Sequence, residues 1–175
     1  MITNILGQEY YPPVGFHFSV SVLDGLGALM ALTSSVDNAF QEVSGVSVEF
    51  DTESVTEGGE NRFIHKLPTR TKYPNLVLKR GLVTTVSSLS TWCMNSLQSN
   101  FDLEVEPKNI GVMLKDEKGL PSVCWFFVNA WPIKMQASDM NAMENKIMVE
   151  TLEFSYQFYE TVSLASLPSL IMRYA

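Results

Sequence analysis

The residue types that could carry chemistry are few in this sequence, and their spacing does not bring them together. The two histidines, His17 and His65, lie in stretches of alternating apolar and polar residues, and neither has a second ligand at the spacing of HxxxH, CxxC or HExxH. The two cysteines, Cys93 and Cys124, lie within apolar runs, which is typical of buried free thiols in a reducing compartment. We therefore predict no bound metal and no cofactor.

Paired carboxylates occur at several places along the chain: Asp51/Glu53, Glu57/Glu60, Asp116/Glu117 and Glu150/Glu153. General acid–base catalysis would require burial that separates the pKa values of a pair. These pairs fall on predicted strand faces or in turns, so we interpret them as solvated or intersubunit charges. The sequence also has no GxSxG or Walker motif, and "GLGAL" lacks the third glycine of a dinucleotide fingerprint. We predict no catalytic residues and no enzymatic activity.

Composition favours a single folded domain. The chain has 175 residues, of which 46% are hydrophobic and 18% charged, enough to build a sizeable core. The net charge of -7 disfavours a general nucleic-acid binder, which would need a basic face. The first residues, "MITNILGQEYYPPVG", lack the features of a secretory signal, and no apolar run is long enough for a membrane span. We expect no membrane partner and no specific nucleic-acid partner.

Most of the chain alternates with the period of a strand, as in "VGFHFSVSV", "SGVSVEFD" and "KIMVETLEFSYQFYE". Phe50 belongs to the face predicted to point inward in the second stretch. Strands are predicted around Arg62–Leu67 and Asn75–Lys79, with "LPTRTKYP" as a loop stiffened by two prolines. The apolar faces predict a core of Phe16, Phe18, Val46, Val48, Leu76, Leu78, Val112, Trp125, Phe127, Leu152, Phe154 and Tyr156.

One segment has the period of a helix. In "SSLSTWCMNSLQSN", apolar residues recur at i, i+3, i+4 and i+8, with Ser87 or Ser88 as N-cap. This predicts a helix over residues 88–99, with Trp92 and Leu97 packed on a sheet. After it comes a predicted hairpin whose turn uses Gly119 and whose second strand is interrupted by Pro132. About seven strands and this helix predict a mainly β fold, an antiparallel β-sandwich or barrel with one flanking α-helix.

Two segments look like additions to the single domain of residues 1–160. Residues 24–38 separate two strands without a clear strand period, and we interpret them as an insert. Residues 161–175 form an apolar C-terminal extension with few charges. A free tail of that composition would tend to aggregate, so we expect it to be docked.

Cations are concentrated in the stretch "EGGENRFIHKLPTRTKYPNLVLKRGL", residues 57–82 of an acidic chain. We expect them on an exposed surface, facing carboxylates of another copy, which suits self-assembly. Examples of such carboxylates are Glu49, Asp51, Glu53, Glu57 and Glu60. The alternative is that the cations form only a solvated face. The predicted subunit-interface residues are Glu57, Glu60, Arg62, Lys66, Arg70, Lys72, Lys79 and Arg80.

Five blocks of sequence carry a resemblance to a known family: "PPVGFHFSVSV", "FQEVSGVSVEF", the cationic stretch, the helix that follows "LKRGL", and the block from "VCWFFVNAWPIK" to "ETLEFSYQFYE". The chain resembles the tail-tube family of contractile phage tails and extracellular contractile injection systems. The resemblance implies six-membered rings that stack into a hollow tube inside a contractile sheath. It also implies a β-hairpin arm, matched by residues 56–67, that projects onto neighbouring subunits.

The partners that the resemblance implies are other copies in a homo-hexamer ring, adjacent tube rings, spike and baseplate proteins, and the sheath. The expected location is the bacterial cytoplasm during assembly, then a phage tail or an extracellular particle. The "GGENRFIHKLP" and "YPNLVLKRG" blocks, the insert and the tail resemble a tube initiator more than a main repeating tube protein. Two other classes remain as alternatives: a cargo enzyme and a stand-alone carbohydrate-binding β-sandwich.

Overall fold

Strands dominate the part of the chain that the computed structural model describes, which is residues 2–3, 9–10, 18–23, 40–59, 62–82, 87–99, 104–115, 121–140, 143 and 146–162. These residues form eleven strands and one helix: β1 Ile2–Thr3, β2 Glu9–Tyr10, β3 Phe18–Leu23, β4 Phe40–Ser44, β5 Glu49–Val55, β6 His65–Lys72, β7 Leu76–Gly81, α1 Ser88–Gln98, β8 Lys108–Lys115, β9 Pro121–Ala137, β10 Val149–Ser155 and β11 Phe158–Val162. No helix in these ranges is long and apolar enough to cross a membrane.

Seven of the strands form one antiparallel sheet in the order β3-β8-β9-β10-β7-β4, with β11 also paired to β9. The edge strands β3 and β4 approach each other, so the sheet curls around the core. Helix α1 packs against β9. We call these seven strands and α1 the body. The mainly β, antiparallel fold with one flanking helix is therefore confirmed.

Strand β9 crosses from one half of the body to the other. Its first part pairs with β8 and β11, and its second part pairs with β10. Between the two parts, Asn129 has a φ of 50°, a left-handed conformation that asparagine tolerates better than most residues. The predicted interruption at Pro132 is wrong, because β9 continues through this proline beside a register shift in its pairing with β10.

The predicted final strand over residues 146–160 is also wrong in one respect, because it is two strands. Strand β10 ends at Ser155 and β11 begins at Phe158. In between, the chain changes its partner from the second part of β9 to the first, and the backbone N–H of Gln157 donates to the carbonyl of Val128 at 3.1 Å. Periodicity could not reveal this break, since the alternation of apolar residues continues through it.

The core follows the predicted faces in most positions. In β7 and β10, buried residues alternate strictly with partly exposed ones, and Leu76, Leu78, Leu152 and Phe154 are fully buried. Val48 is 52% exposed, so its placement in the core is wrong. Phe16 lies outside the described residues. The predicted residues found buried are Leu76, Leu78, Val112, Phe127, Leu152, Phe154 and Tyr156, and those half-buried against the core are Phe18, Val46 and Trp125.

Helix α1 begins and ends close to the predicted bounds. Ser87 is its N-cap, and the Ser87 hydroxyl accepts a hydrogen bond from the backbone N–H of Ser90. The Trp92 ring stacks on Phe154, with 5.6 Å between the ring centroids, which attaches the helix to the sheet. Leu97 is 37% exposed, so its predicted packing is wrong. At about 100° per residue it falls on the edge of the apolar stripe rather than at its centre.

Several sequence predictions concern residues outside the described ranges. These are the insert at residues 24–38, the Gly119 turn, His17, Glu60, the Asp116/Glu117 pair and all but the first two residues of the C-terminal extension.

Candidate assembly surface

Strands β5 and β6 form a hairpin of their own, which we call the arm (residues 49–72). They pair only with each other among the described strands, from Glu49 opposite Lys72 to Val55 opposite His65. Every side chain of both strands is exposed. The alternation of "SGVSVEFD" was predicted to place Phe50 inward, but Phe50 is 64% exposed. The arm therefore has two solvent faces and no core of its own.

The arm is also longer than the predicted range of 56–67. The segment "LPTRTKYP" was predicted to be a loop, whereas β6 runs from His65 to Lys72 and includes Pro68. The pairing shifts register by one residue near Pro68, which lies opposite Thr52. A proline is tolerated at such an irregularity, and in a two-stranded sheet its missing N–H can face an unpaired edge.

Apolar side chains on and beside the arm are unusually exposed. Phe50, Ile64, Leu67 and Val48 are each more than half exposed, and Phe63 is 51% exposed near the tip. Fully burying one such side chain stabilises by about 1.5–3 kcal/mol. An element that exposes several large apolar side chains is a candidate surface for binding another protein.

Charged side chains divide between the two strands of the arm. Glu49, Asp51 and Glu53 alternate along β5 and therefore share one face, while β6 carries Lys66, Arg70 and Lys72. None of these three cations forms an ion pair with another residue in the described ranges. Their role in contacts between copies stays a prediction.

A weak ion pair joins two side chains at the tip of the arm. His65 Nε2 lies 3.4 Å from Glu57 Oε1, and both side chains are about half exposed or more. The His65 ring also makes an edge contact with Phe63 at 5.0 Å between centroids. Arg62 is exposed beside them. An exposed pair of this kind contributes about 0–1 kcal/mol.

Two of the predicted interface cations lie on β7 instead of the arm, and their surroundings differ. Lys79 Nζ contacts both carboxylate oxygens of Glu42 on β4, at 2.9 and 3.0 Å, on a partly exposed face. Arg80 is 0% exposed. The expectation that Arg80 is a surface cation is therefore wrong.

Arg80 belongs to a buried polar cluster in the body. Its Nε donates to Glu150 Oε2 at 2.7 Å, and its terminal nitrogens donate to the hydroxyls of Ser87 and Ser90 at the start of α1. Its guanidinium also lies 5.2 Å from the centroid of the Phe40 ring. Glu150 is buried as well, so its interpretation as a solvated or intersubunit charge is wrong. The sequence did contain a signal for the burial of Arg80, because Arg80 shares the alternating face of Leu76 and Leu78.

The rest of the described surface shows no convergent catalytic group. A groove of about 530 Å³ lies between α1 and residues 104–108, lined by Ser88, Thr91, Trp92, Asn95, Ser96, Glu104, Glu106 and Lys108. In the described part of the chain, no three His, Cys, Asp or Glu side chains are grouped to hold a metal ion. Both cysteines are free and buried, as predicted. Burial raises the pKa of the Cys93 thiol to about 12 and that of Cys124 to about 11.

The model of the T4-like virus tail tube protein gp19 family matches residues 14–160 of the chain. The chain belongs to this family. Tail tube proteins are structural, and the match includes both the body and the arm. No match to a curated protein sequence is found.

Solved structures of related assemblies resemble the chain over nearly its whole length. A chain in the anti-feeding prophage baseplate, reconstructed with 6-fold symmetry, is 27% identical with a TM-score of 0.75, covering 89% of this chain and 99% of that one. A chain in the anti-feeding prophage tube terminating cap is 25% identical, with a TM-score of 0.70 and coverage of 89% and 94%. A chain in the extended PVC sheath–tube complex is 25% identical, with a TM-score of 0.67 and coverage of 88% and 93%.

Proposed function

We propose that this chain is a structural subunit of the inner tube of a contractile injection system or phage tail, and that its copies form stacked hexameric rings. Family membership and the likeness to chains of a baseplate and of a sheath–tube complex support this role. The 6-fold symmetry of the similar baseplate supports six copies in a ring. Sheath, spike and baseplate proteins are the expected partners, and no catalysis, metal or cofactor is needed. Assembly takes place in the bacterial cytoplasm, before the particle acts outside it.

The observation that carries the proposal is the arm. A two-stranded hairpin alone is marginally stable in water. This one exposes Phe50, Ile64 and Leu67, and among the described strands the outer backbone edges of β5 and β6 have no partner. The apolar side chains are buried when the arm packs on a neighbouring copy, and the backbone edges gain hydrogen bonds when the arm extends the sheet of that copy. The arm therefore supplies the contact that a closed ring requires.

Charge complementarity sets the register of that contact. The acidic face of β5 and the cations Lys66, Arg70 and Lys72 lie on the same projecting element. Each exposed ion pair contributes about 0–1 kcal/mol, but a ring repeats every contact around its circumference. Glu57 and Arg62 at the tip belong to the same proposed contact. Lys79 contributes less, because Glu42 already pairs with it inside the chain.

The place of the chain in the tube is the initiator layer, next to the spike and baseplate. The likeness to a chain of a baseplate supports this assignment. The insert at residues 24–38 and the apolar extension at 161–175 would supply contacts that an ordinary repeating ring does not need. The main repeating tube protein is the alternative, supported by the likeness to the sheath–tube complex.

Electron microscopy and light scattering of the purified protein test ring formation. We expect rings from the parent chain, and we expect Arg70→Glu to lower their yield, most clearly at low salt, where the Debye length is long. The matched control is Lys134→Glu, which makes the same change of charge on an exposed position of β9, outside the arm. Circular dichroism should show both variants folded.

Three results decide between the alternatives. Equal ring yields for Arg70→Glu and the parent across a salt series would exclude the electrostatic contact. A parent chain that stays monomeric at every concentration would contradict the tube function itself. Single rings that do not elongate favour the initiator, whereas spontaneous growth of long tubes favours the main tube protein.

A further inference from the structure

The two segments that join the arm to the body, residues 45–48 and 73–75, touch each other directly. Gly45 has a φ of 89°, and a Cβ atom built on it would lie 2.0 Å from the carbonyl oxygen of Asn75. Any side chain there would collide with backbone, and the conformation itself favours glycine. The chain therefore leaves the body as two closely apposed segments between the last β4–β7 pair, Ser44 with Val77, and the first arm pair.

One buried side chain contacts both segments. The Tyr156 hydroxyl donates to the carbonyl oxygen of Gly45 at 3.3 Å, and its ring lies 6.0 Å from that of Tyr73. Tyr156 is anchored in the core by an edge contact with Phe127, at 4.8 Å between centroids. Burial raises its pKa to about 12, so the hydroxyl remains a donor at neutral pH.

The second segment has two further attachments to the body. The Asn75 side-chain amide donates to Glu153 Oε1 on β10 at 2.8 Å. The Tyr73 ring makes an edge contact with Tyr159 on β11, at 5.9 Å between centroids. Strand β10 pairs with the second part of β9 and β11 with the first part, so the segment is attached to the body at two separate places. Two separate attachments restrain the direction of the segment as well as its distance from the body.

We infer that Gly45, Tyr73, Asn75 and Tyr156 form a rigid root, which we call the root cluster, that holds the arm at one fixed angle to the body. A hairpin on two free links would swing, and a neighbouring copy would have to order it on binding, at a cost in conformational entropy. The root cluster removes that cost before the copies meet. This inference rests on the proposed ring function for its purpose, since the arm is oriented for a second copy of this chain.

Pulsed electron–electron double resonance tests the fixed angle through a distance between the arm and the body. Spin labels on Thr52→Cys in the arm and Asn95→Cys on α1 report the distance between arm and body, and both positions are exposed. The native cysteines are buried, so labelling is selective. An excess of unlabelled protein keeps the distances within single chains. We expect one narrow distance distribution for the parent chain.

Gly45→Ala should shift or broaden this distribution, because the new Cβ forces the two segments apart. Gly58→Ala is the matched control: it makes the same change near the arm tip, where a Cβ would meet nothing within 4 Å. Tyr156→Phe is the gentler variant, since it removes only the hydroxyl bond to Gly45 and keeps the ring. It should broaden the distribution without loss of the fold.

A broad distribution in the parent, or identical distributions in the parent, Gly45→Ala and Tyr156→Phe, would overturn the inference. Ring formation is measured on the same samples and separates this inference from the proposed function. A narrow parent distribution without rings keeps the rigid root and rejects the ring. Rings from a parent with a broad distribution keep the ring and reject the rigid root.

Discussion

Removing the charge of Glu150 should destabilise the protein far more than an ordinary carboxylate substitution. Arg80 is 0% exposed, and the Glu150 side chain opposite it is 5% exposed. In Glu150→Gln, the buried guanidinium keeps the hydroxyls of Ser87 and Ser90 but loses the opposite charge. It would also lie beside the positive N-terminal end of α1. Breaking such a buried pair costs about 3–5 kcal/mol, a large part of the roughly 5–15 kcal/mol that stabilises a domain.

Urea denaturation followed by tryptophan fluorescence measures the loss, because Trp92 on α1 packs against the sheet beside this cluster. Glu42→Gln is the matched control: it breaks the exposed pair with Lys79 and should cost only about 0–1 kcal/mol. The double variant Arg80→Met/Glu150→Leu should recover most of the loss, since it removes both buried charges and keeps apolar volume. Equal losses in Glu150→Gln and Glu42→Gln would refute the interpretation of Arg80 as a buried, charge-dependent link.

Three further outcomes follow from burial in the body. Cys93 and Cys124 should not react with a thiol reagent at pH 8 in the folded protein, since their pKa values of about 12 and 11 leave little thiolate; both should react in denaturant. In the folded protein the pKa values of both thiols lie above the ordinary 9.0. The stability that the two buried, protonated thiols contribute is therefore complete below pH 9 and is lost as pH rises toward 11–12. The free energy of unfolding should fall above pH 9 by at most about 1.4 kcal/mol per pH unit for each thiol, and less steeply in Cys124→Ala. Phe154→Ala should cost about 3–5 kcal/mol, whereas Phe50→Ala on the arm should change the unfolding free energy of the isolated chain by less than about 0.5 kcal/mol; an unchanged melting temperature in Phe154→Ala would contradict the core assignment.

Local periodicity was sufficient to predict the strands and the helix that pack on one continuous core. The alternation in β7 and β10 correctly predicted Leu76, Leu78, Leu152 and Phe154 as buried. The serine cap and the spacing of Leu89, Trp92 and Cys93 correctly predicted α1, because a helix that covers a sheet needs one apolar stripe. These signals are local, so the tertiary structure could confirm them without changing them.

The effect of the prolines and the ends of the strands were harder to predict from the sequence. Pro68 and Pro132 were expected to break strands, but each lies at or beside a shift of register where a missing N–H is tolerated. A register shift depends on the partner strand, which is distant in the sequence. The division of the last predicted strand at residues 156–157 depends in the same way on which part of β9 lies alongside.

The amino-acid sequence by itself determined which residues share a face, because alternation and helical spacing follow from backbone geometry. Only the tertiary structure decided which faces are covered. Phe50 and Phe154 have the same kind of alternating surroundings, yet one is 64% exposed on the arm and the other is fully buried. The sequence alone predicts Arg80 to be a surface cation, whereas the fold brings Glu150, far along the chain, beside it. The physical reason is that burial and ion pairing depend on what the fold brings opposite a side chain, and a local pattern carries no information about that partner.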